Sequence, residues 1–418
     1  MKTILYTIAI TCLAVSCNSK SQKADPPKQD SVKKIALSTG KLSAKEYLYY
    51  HDILQDHFES QLLHRGFNGG VLVAKNGVIV YEDYQGFRDL RTKDSMTSST
   101  PMHIASASKT FTGMAVMQLV QQGKVNLDDT LGKYFPGFPY PGVTVKNLLS
   151  HRSGLPNYIH YLENLHWDKN KKVNNQDVLL SLFTLHPNKE SFPDRRFSYS
   201  NTNYVLLALI LEKVTGVPYP QYMKKTIFDP LGMQDTFVAT PADSARITPS
   251  FDARGRVWKP DFLDLTYGDK NIYSTPRDLL KWDIAMTSGQ VINQQMMDLA
   301  YTPYSNEHPS IHNYGLGWRL LMLRNGKKII YHNGRWHGSN AAFARLQAEK
   351  ATIIIIGNRY NSNIYSSAKK AYDLFGADVQ DSGDEDDEKL TNNDEKGEVS
   401  AVQTLAAVSG IAPPSQKK

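Results

Sequence analysis

Cysteine is almost missing from these 418 residues: Cys12 and Cys17 are the only two, both near the N-terminus. The chain beyond residue 17 cannot close a disulfide, so its stability has to come from a buried core, which this length permits. Patterns that would mark several other chemistries are missing too. No G-x-S-x-G elbow, no H-E-x-x-H zinc helix and no G-x-x-x-x-G-K phosphate loop occurs. His308 and His312 are four apart, but Pro309 between them argues against the helix that would align them on a metal. Basic residues are dispersed, without a Lys/Arg run or interleaved aromatics, so the electrostatic footprint of a nucleic-acid binder is absent. The expectation is a protein with no metal, no organic cofactor and no nucleic-acid partner.

Charge is unevenly spread. The formal net charge is +7, yet between Asp378 and Glu398 ten acidic residues face only Lys389 and Lys396. The rest of the chain is correspondingly basic, which suits an anionic envelope and equally an ordinary solvated surface. Beyond Gly376 the sequence is acidic and polar, then small and Pro-bearing, with too few large apolar residues to offset chain entropy. Residues 377–418 are therefore expected to form a disordered tail.

At the other end, Lys2 precedes an uncharged, mostly apolar stretch from Thr3 to Val15, too short to span a bilayer and of the right length for a signal h-region. Leu13-Ala14-Val15-Ser16-Cys17 resembles a bacterial lipoprotein cleavage box, with Leu13 one place early. That resemblance implies acylation of Cys17, with an ordinary secretory signal as the alternative. Residues 18–46 read as a polar tether. The expected location is the cell envelope, periplasm or outer membrane, with a lipid anchor holding the protein at the membrane.

The body, residues 47–376, reads as a mixed α/β unit. A helix is expected over Tyr47–Leu63, then two strands flanking Asn76-Gly77, a strong hairpin signal. A second helix runs from about Ser106 to Gln122, and a third from Tyr204 to Val214. Residues 127–261 are helical patches broken by Pro and Gly, read as a mostly α-helical inserted region. Strand-like runs at Leu320–Leu323, Lys328–Tyr331, Ala341–Leu346 and Thr352–Ile356, then a helix over Ile364–Phe375, argue an antiparallel sheet flanked by helices. The site should lie in the cleft between sheet and helical region.

The chemistry-bearing residues start with Ser106-Ala107-Ser108-Lys109 at a helix start. Residues three apart on a helix share a face, so the Lys109 amine can reach the Ser106 hydroxyl, as a serine nucleophile needs if lysine is to take its proton. The helix N-terminus also brings positive dipole toward developing negative charge. Tyr199-Ser200-Asn201 precedes the third helix, and His332-Asn333-Gly334 ends an apolar run. In this order the three motifs resemble those of the penicillin-recognising serine hydrolases: S-x-x-K, Y-x-N, then K-T-G or H-x-G on a strand. Leu148–Pro156, Gly268-Asp269-Lys270 through Thr275, and Tyr314–Trp318 are similar to stretches of the class C β-lactamase-like family. The resemblance spans roughly residues 65–375.

What the resemblance implies is a β-lactamase/transpeptidase-like fold and acyl transfer through an acyl-Ser106 intermediate. Either Lys109, if neutral, or Tyr199, as a phenolate between cations, would be the base. Asn201 could accept from Lys109 and donate to a substrate amide at once. His332 and Gly334 would line the substrate strand, and the backbone N–H of Arg335 would join the Ser106 amide as an oxyanion donor. His332 stands where most true β-lactamases have lysine, and the family accommodates this in D-peptidases, D-aminopeptidases and esterases. The expected substrates are therefore small esters, D-peptides or peptidoglycan-derived fragments, ahead of efficient β-lactam hydrolysis. The rival expectation is a non-catalytic envelope protein that binds peptidoglycan or β-lactams on the same fold. His151, in the Leu148–Pro156 stretch, reads as structural.

Overall fold

The computed structural model describes residues 35–165 and 167–379. Cys17, the leader, most of the expected tether and the acidic segment from residue 380 lie outside the described residues. Both edges of the body reach further than the sequence suggested. The Ile35 amide donates to Pro230 O and the Gly40 amide to Asn76 O, so residues 35–43 are fastened to the body. At the other edge Ala377 and Val379 are buried, and Asn325 Nδ2 donates to Ala377 O.

In chain order the strands are β1 (Gly69–Lys75), β2 (Val78–Gln85), β3 (Phe87–Asp89), β4 (Asp94–Ser95), β5 (Met102–His103), β6 (Phe237–Val238), β7 (Ile272–Ser274), β8 (His312–Tyr314), β9 (Arg319–Met322), β10 (Lys328–Trp336), β11 (Ser339–Leu346) and β12 (Ala351–Gly357). The helices are α1 (Ala44–Phe58), α2 (Ser108–Gln121), α3 (Leu131–Tyr134), α4 (Val145–Leu149), α5 (Tyr158–Asn164), α6 (Asn175–Leu185), α7 (Asn201–Thr215), α8 (Tyr219–Met223), α9 (Pro276–Thr287), α10 (Gln294–Ala300) and α11 (Asn363–Asp373).

Ser43 starts α1 earlier than apolar periodicity suggested: its Oγ accepts from the Glu46 amide while the Glu46 carboxylate accepts from the Ser43 amide, a reciprocal cap. Asn76 and Gly77 both take positive φ, 53° and 74°, the pairing that a two-residue turn between twisted strands requires. They join β1 to β2, with Lys75 opposite Val78.

The main sheet has the order β2-β1-β12-β11-β10-β9-β8, every neighbouring pair antiparallel. Side chains alternate between its two faces. Val71, Val73, Ile353 and Ile355 pack with Leu54 and Phe58 of α1 and with Ile364 and Tyr372 of α11. Leu72, Ile354, Ile356 and Phe343 point the other way, into the larger core that holds α2, α7 and α9. Helices on both faces explain why β12 reads as an unbroken apolar run, Ile353–Ile356, with no polar alternation.

Helix α2 lies deepest. Every residue from Ser108 to Met117 is buried, and Phe111 stacks on Trp282 of α9 at a centroid distance of 4.4 Å. The inserted region carries α3 to α8, as expected, but also β6, which pairs with β7, itself paired with β5. Strands of two or three residues are too short for alternation to register, and this small sheet was not legible in the sequence. It anchors the two segments that bracket Ser106: the approach to α2 and the turn at residues 268–271.

Candidate active site

Ser106 sits on the single 3-10 turn Ala105–Ala107 that opens α2, 8% exposed and so reachable but mostly covered. Ala105, just before it, is held at φ 47°, an unfavourable region for a residue with a Cβ. The Ala105 amide donates to His103 Nδ1 at 3.1 Å, and His103 Nε2 is paired with Asn271 Oδ1 at 3.1 Å, so the strained residue is fixed from the small sheet.

One turn on, Lys109 is fully buried, and its Nζ lies 3.0 Å from Ser106 Oγ, 2.7 Å from Asn201 Oδ1 and 2.8 Å from the Asp269 carbonyl. Two of the three are carbonyl oxygens, which accept but cannot donate. In the neutral amine both N–H groups are therefore taken by Asn201 and Asp269, and the lone pair is left facing the Ser106 hydroxyl. A lone pair held in this way on a hydroxyl is in position to take its proton. The Asp269 carbonyl could not have been named from the sequence, because a main-chain acceptor leaves no residue-type signal.

Asn201 is the first residue of α7 and is 2% exposed. Its backbone N–H donates to Asn157 Oδ1 at 3.3 Å. With Oδ1 given to Lys109, its Nδ2 is buried without a hydrogen-bond partner. A buried donor left without a partner beside Ser106 is able to take up an acceptor brought into the site.

Tyr199 is half-buried, its ring 4.9 Å from Lys109 Nζ and 5.4 Å from the Arg319 guanidinium. The second cation near this ring, left unnamed by the sequence, is Arg319 on β9. The His151 ring lies against it at 4.2 Å. His151 is buried, with Nδ1 facing the Ser200 amide and Asn203 Nδ2, so it braces the entry to α7.

Strand β10 passes directly over the nucleophile turn. A Cβ on Gly334 would fall 2.2 Å from Ile104 O and 2.9 Å from the Ser106 amide nitrogen, so only glycine fits. Gly334→Ala is accordingly expected to displace the turn and cut turnover about 100-fold, since misplacing a reacting group by an ångström costs that much. Steady-state kinetics alongside a melting curve check it; an alanine variant within three-fold of the parent would show that the approach is looser than this. Pairing of β10 with β9 ends at Tyr331–Arg319, so His332–Trp336 have no β9 partner. Arg335 lies in that stretch, opposite Asn340 of β11, and its guanidinium is over the Tyr360 ring at 4.5 Å.

His332 is placed differently from the expectation of a substrate contact. It is fully buried; Nδ1 is 2.6 Å from Asn333 O, and Nε2 is 3.0 Å from the Tyr314 hydroxyl. A carbonyl can only accept, so Nδ1 carries the proton and Nε2 accepts from Tyr314. Both nitrogens are engaged inside the protein. Burial, then Arg319 and Lys109 nearby, push its pKa well below the usual histidine value. The ring is neutral and does not supply the charge that a lysine would.

Among the described residues, the grouping able to offer three ligand atoms to a metal is Asp261, Asp264 and His337, within 4.8 Å of one another. Asp264 already accepts from Trp336 Nε1, from His337 Nε2 and from the Asp261 amide. Those bonds account for its orientation.

Three buried histidines give the fold a pH signature. Burial lowers His103 to about 4 and pushes His151 and His332 well below their ordinary value. In the unfolded chain each titrates near 6.5. Below that value the unfolded state binds more protons than the native one, so native stability is full above about pH 6.5 and is lost as pH falls. Between about pH 6 and 4.5 the loss should reach roughly 4 kcal/mol per pH unit, three groups at about 1.4 each. Denaturant melts at three pH values measure the slope. A flat profile would mean that these rings are protonated in the native state.

The Beta-lactamase family model matches residues 54–377. Penicillin-binding protein 4* of Bacillus subtilis (strain 168) is 31% identical over 335 residues, covering 75% of this chain and 73% of that protein. Among solved structures, a penicillin-binding protein from Bacillus halodurans superposes with a TM-score of 0.67 at 22% identity, covering 77% of this chain and 98% of that one. The D-amino acid amidase from Ochrobactrum anthropi SV3 superposes at 0.63 with 25% identity, covering 78% and 99%. With the antiparallel sheet, its helical layers and the ordered motifs, these likenesses carry one conclusion: the chain belongs to the β-lactamase family of serine hydrolases and penicillin-binding proteins.

Proposed function

We propose that this protein is an exported serine hydrolase that cleaves an ester or amide through an acyl-Ser106 intermediate, preferring D-amino-acid or D-peptide substrates over β-lactams. The observation that carries the reading is the Lys109 amine, 3.0 Å from Ser106 Oγ and also bonded to two carbonyl oxygens that cannot donate. Ser106 Oγ attacks the substrate carbonyl carbon as its proton passes to Lys109, directly or by way of Tyr199. The Ser106 and Arg335 amides stabilise the oxyanion, and the Asn201 Nδ2 donor holds a second substrate carbonyl. Collapse breaks the bond to the leaving group, which receives the proton, and water then hydrolyses the acyl ester.

Neutral His332 supports the D-amino-acid preference. A β-lactam brings a carboxylate to the end of this strand, and an uncharged, internally bonded imidazole offers it no counter-charge. The presence of a D-amino acid amidase among the structural neighbours is consistent with this. The leader ending at Cys17 would deliver the enzyme to the envelope and anchor it there by lipid.

Intact-mass spectrometry of the protein treated with a fluorophosphonate, with benzylpenicillin and with D- and L-phenylalanine amides tests the reading. Expected are a fluorophosphonate adduct on the peptide containing Ser106 and turnover of the D-amide at least ten-fold faster than the L-amide. A folded protein that forms no adduct, yet binds D-peptides, would instead be the non-catalytic envelope protein.

A further inference from the structure

A second lysine, Lys270, is buried beside the first. It is 3% exposed, and its Nζ donates to Thr266 Oγ1 at 2.6 Å, to Asp269 Oδ2 at 3.1 Å and to the Tyr158 hydroxyl. The Trp336 ring covers it at 4.4 Å. The Asp269 carboxylate is wholly buried: Oδ2 also accepts from Tyr158 at 2.7 Å, and Oδ1 has no hydrogen-bond partner. The main-chain carbonyl of this same Asp269 is the one that accepts from Lys109.

The turn carrying the pair is fixed on α2 at two points one helical turn apart. Lys109 holds the Asp269 carbonyl, and Thr112 Oγ1 donates to the Gly268 carbonyl at 2.7 Å. Gly268, at φ 92°, leaves no room for a side chain, since a Cβ would fall 2.4 Å from Tyr204 O. Asn271 at φ 71° donates from Nδ2 to the carbonyls of Asp264 and Thr266. A buried ion pair next to a catalytic amine costs desolvation that an apolar pair would not, so its presence needs a reason other than stability.

We propose that the Asp269–Lys270 pair is a positioning device for Lys109, Lys270 clamping the Asp269 side chain so that its carbonyl stays on the Lys109 amine and balancing the carboxylate's charge beside it. The inference rests on the serine-hydrolase reading and assigns a role to two side chains that reading does not use.

The groups facing Lys109 from the packed elements are Tyr199 and Tyr204 at α7, His151 behind α4, His332 on β10 and, beyond them, Arg319 on β9. His151 and His332 are pushed well below the ordinary histidine range and Tyr204 well above the ordinary tyrosine range, each chiefly by burial, so all three stay neutral through the working range. Among the described residues, Arg319 and the two members of the pair are then charged groups close to the Lys109 site.

Removing one member leaves the other uncompensated, and the two removals act with opposite sign on whichever of Lys109 and Tyr199 serves as base. Lys270→Met leaves a buried carboxylate that favours the base's protonated form, so the acidic limb of the rate–pH profile moves up by about one unit. Asp269→Asn leaves a buried ammonium, and the limb moves down by about one unit. The double variant, with no net charge removed, returns the limb to the wild-type position even where turnover stays lower.

The measurement is the rate of Ser106 phosphonylation by a fluorophosphonate from pH 5 to 10, with thermal melting to confirm folding. Opposite shifts in the single variants and restoration in the double support the proposal. If Lys270→Met does not fold, the Asp269→Asn shift and the charge-neutral double decide it. Profiles that superimpose, or shift the same way, overturn it while leaving the hydrolase reading intact. A folded wild type that is unlabelled at every pH overturns both.

Discussion

Ser106→Ala is expected to lose turnover by roughly 10^4-fold or more and to lose fluorophosphonate labelling entirely. The fold should barely notice. The Ser106 hydroxyl is hydrogen-bonded with Lys109 Nζ, and losing that bond leaves the amine with its Asn201 and Asp269 acceptors, at a cost of about 1 kcal/mol. The methyl group that replaces it stays inside a turn braced by Ala105 and His103. Kinetics and melting on the same preparation separate the two effects. A variant that melts normally and still turns over at a hundredth of the parent rate would place the nucleophile elsewhere.

The second large effect belongs to Lys109. Lys109→Met keeps the length of the side chain and removes the amine, and turnover should fall about 10^2- to 10^4-fold, the usual worth of a positioned base. Two stability terms oppose each other here. Asn201 Oδ1 and the Asp269 carbonyl each lose a donor, at about 1–3 kcal/mol apiece. Against that, a buried ionisable group gives way to an apolar one, which is often neutral or stabilising by about 1–4 kcal/mol. The variant should therefore melt close to the parent. Lys109→Arg sharpens the test, because a guanidinium keeps the positive charge but cannot give up its proton near neutrality. If lysine acts as a base, arginine is as inactive as methionine. Substantial activity in the arginine variant would mean that Lys109 serves only as a fixed cation and that Tyr199 takes the proton.

Much of this site could be read before any coordinates, for a simple reason. Ser106 and Lys109 share one helix, whose geometry is known in advance, and Tyr199 and Asn201 flank the start of another. Side-chain types at regular spacing survive in the sequence; main-chain acceptors do not, which is why the Asp269 carbonyl was invisible although its residue lay in a stretch already singled out. His332 shows a different limit. Its residue type suggested a ring that is partly charged near neutrality, whereas Tyr314 from a neighbouring strand segment and complete burial make it an internal, neutral group. That outcome depends on tertiary packing, to which local pattern is blind. For the fold, long periodic runs gave α1, α2, α7 and α11 to within a few residues. The miniature sheet of β5, β6 and β7 stayed hidden, although it fixes the two segments around the nucleophile.

The order of strands in the main sheet also bears on how the molecule is made. Gly69 in β1 pairs with Gly357 in β12, so the N-terminal hairpin finds its inner neighbour only when nearly all of the described chain exists. A ribosome delivering this polypeptide releases β1 and β2 first, as a two-stranded piece with an apolar open edge, a structure that is marginal by itself in water. Contacts this distant in sequence slow folding and prolong the time that such edges stay unpaired. The hairpin must wait through synthesis of α2, the whole helical insertion and four further strands of the main sheet before its partner arrives. For most of that interval Ser106 and Lys109 are already on the growing chain, but β10, which passes over the Ser106 turn, is not. The arrangement around Ser106 is therefore incomplete on any chain that stops short of β10.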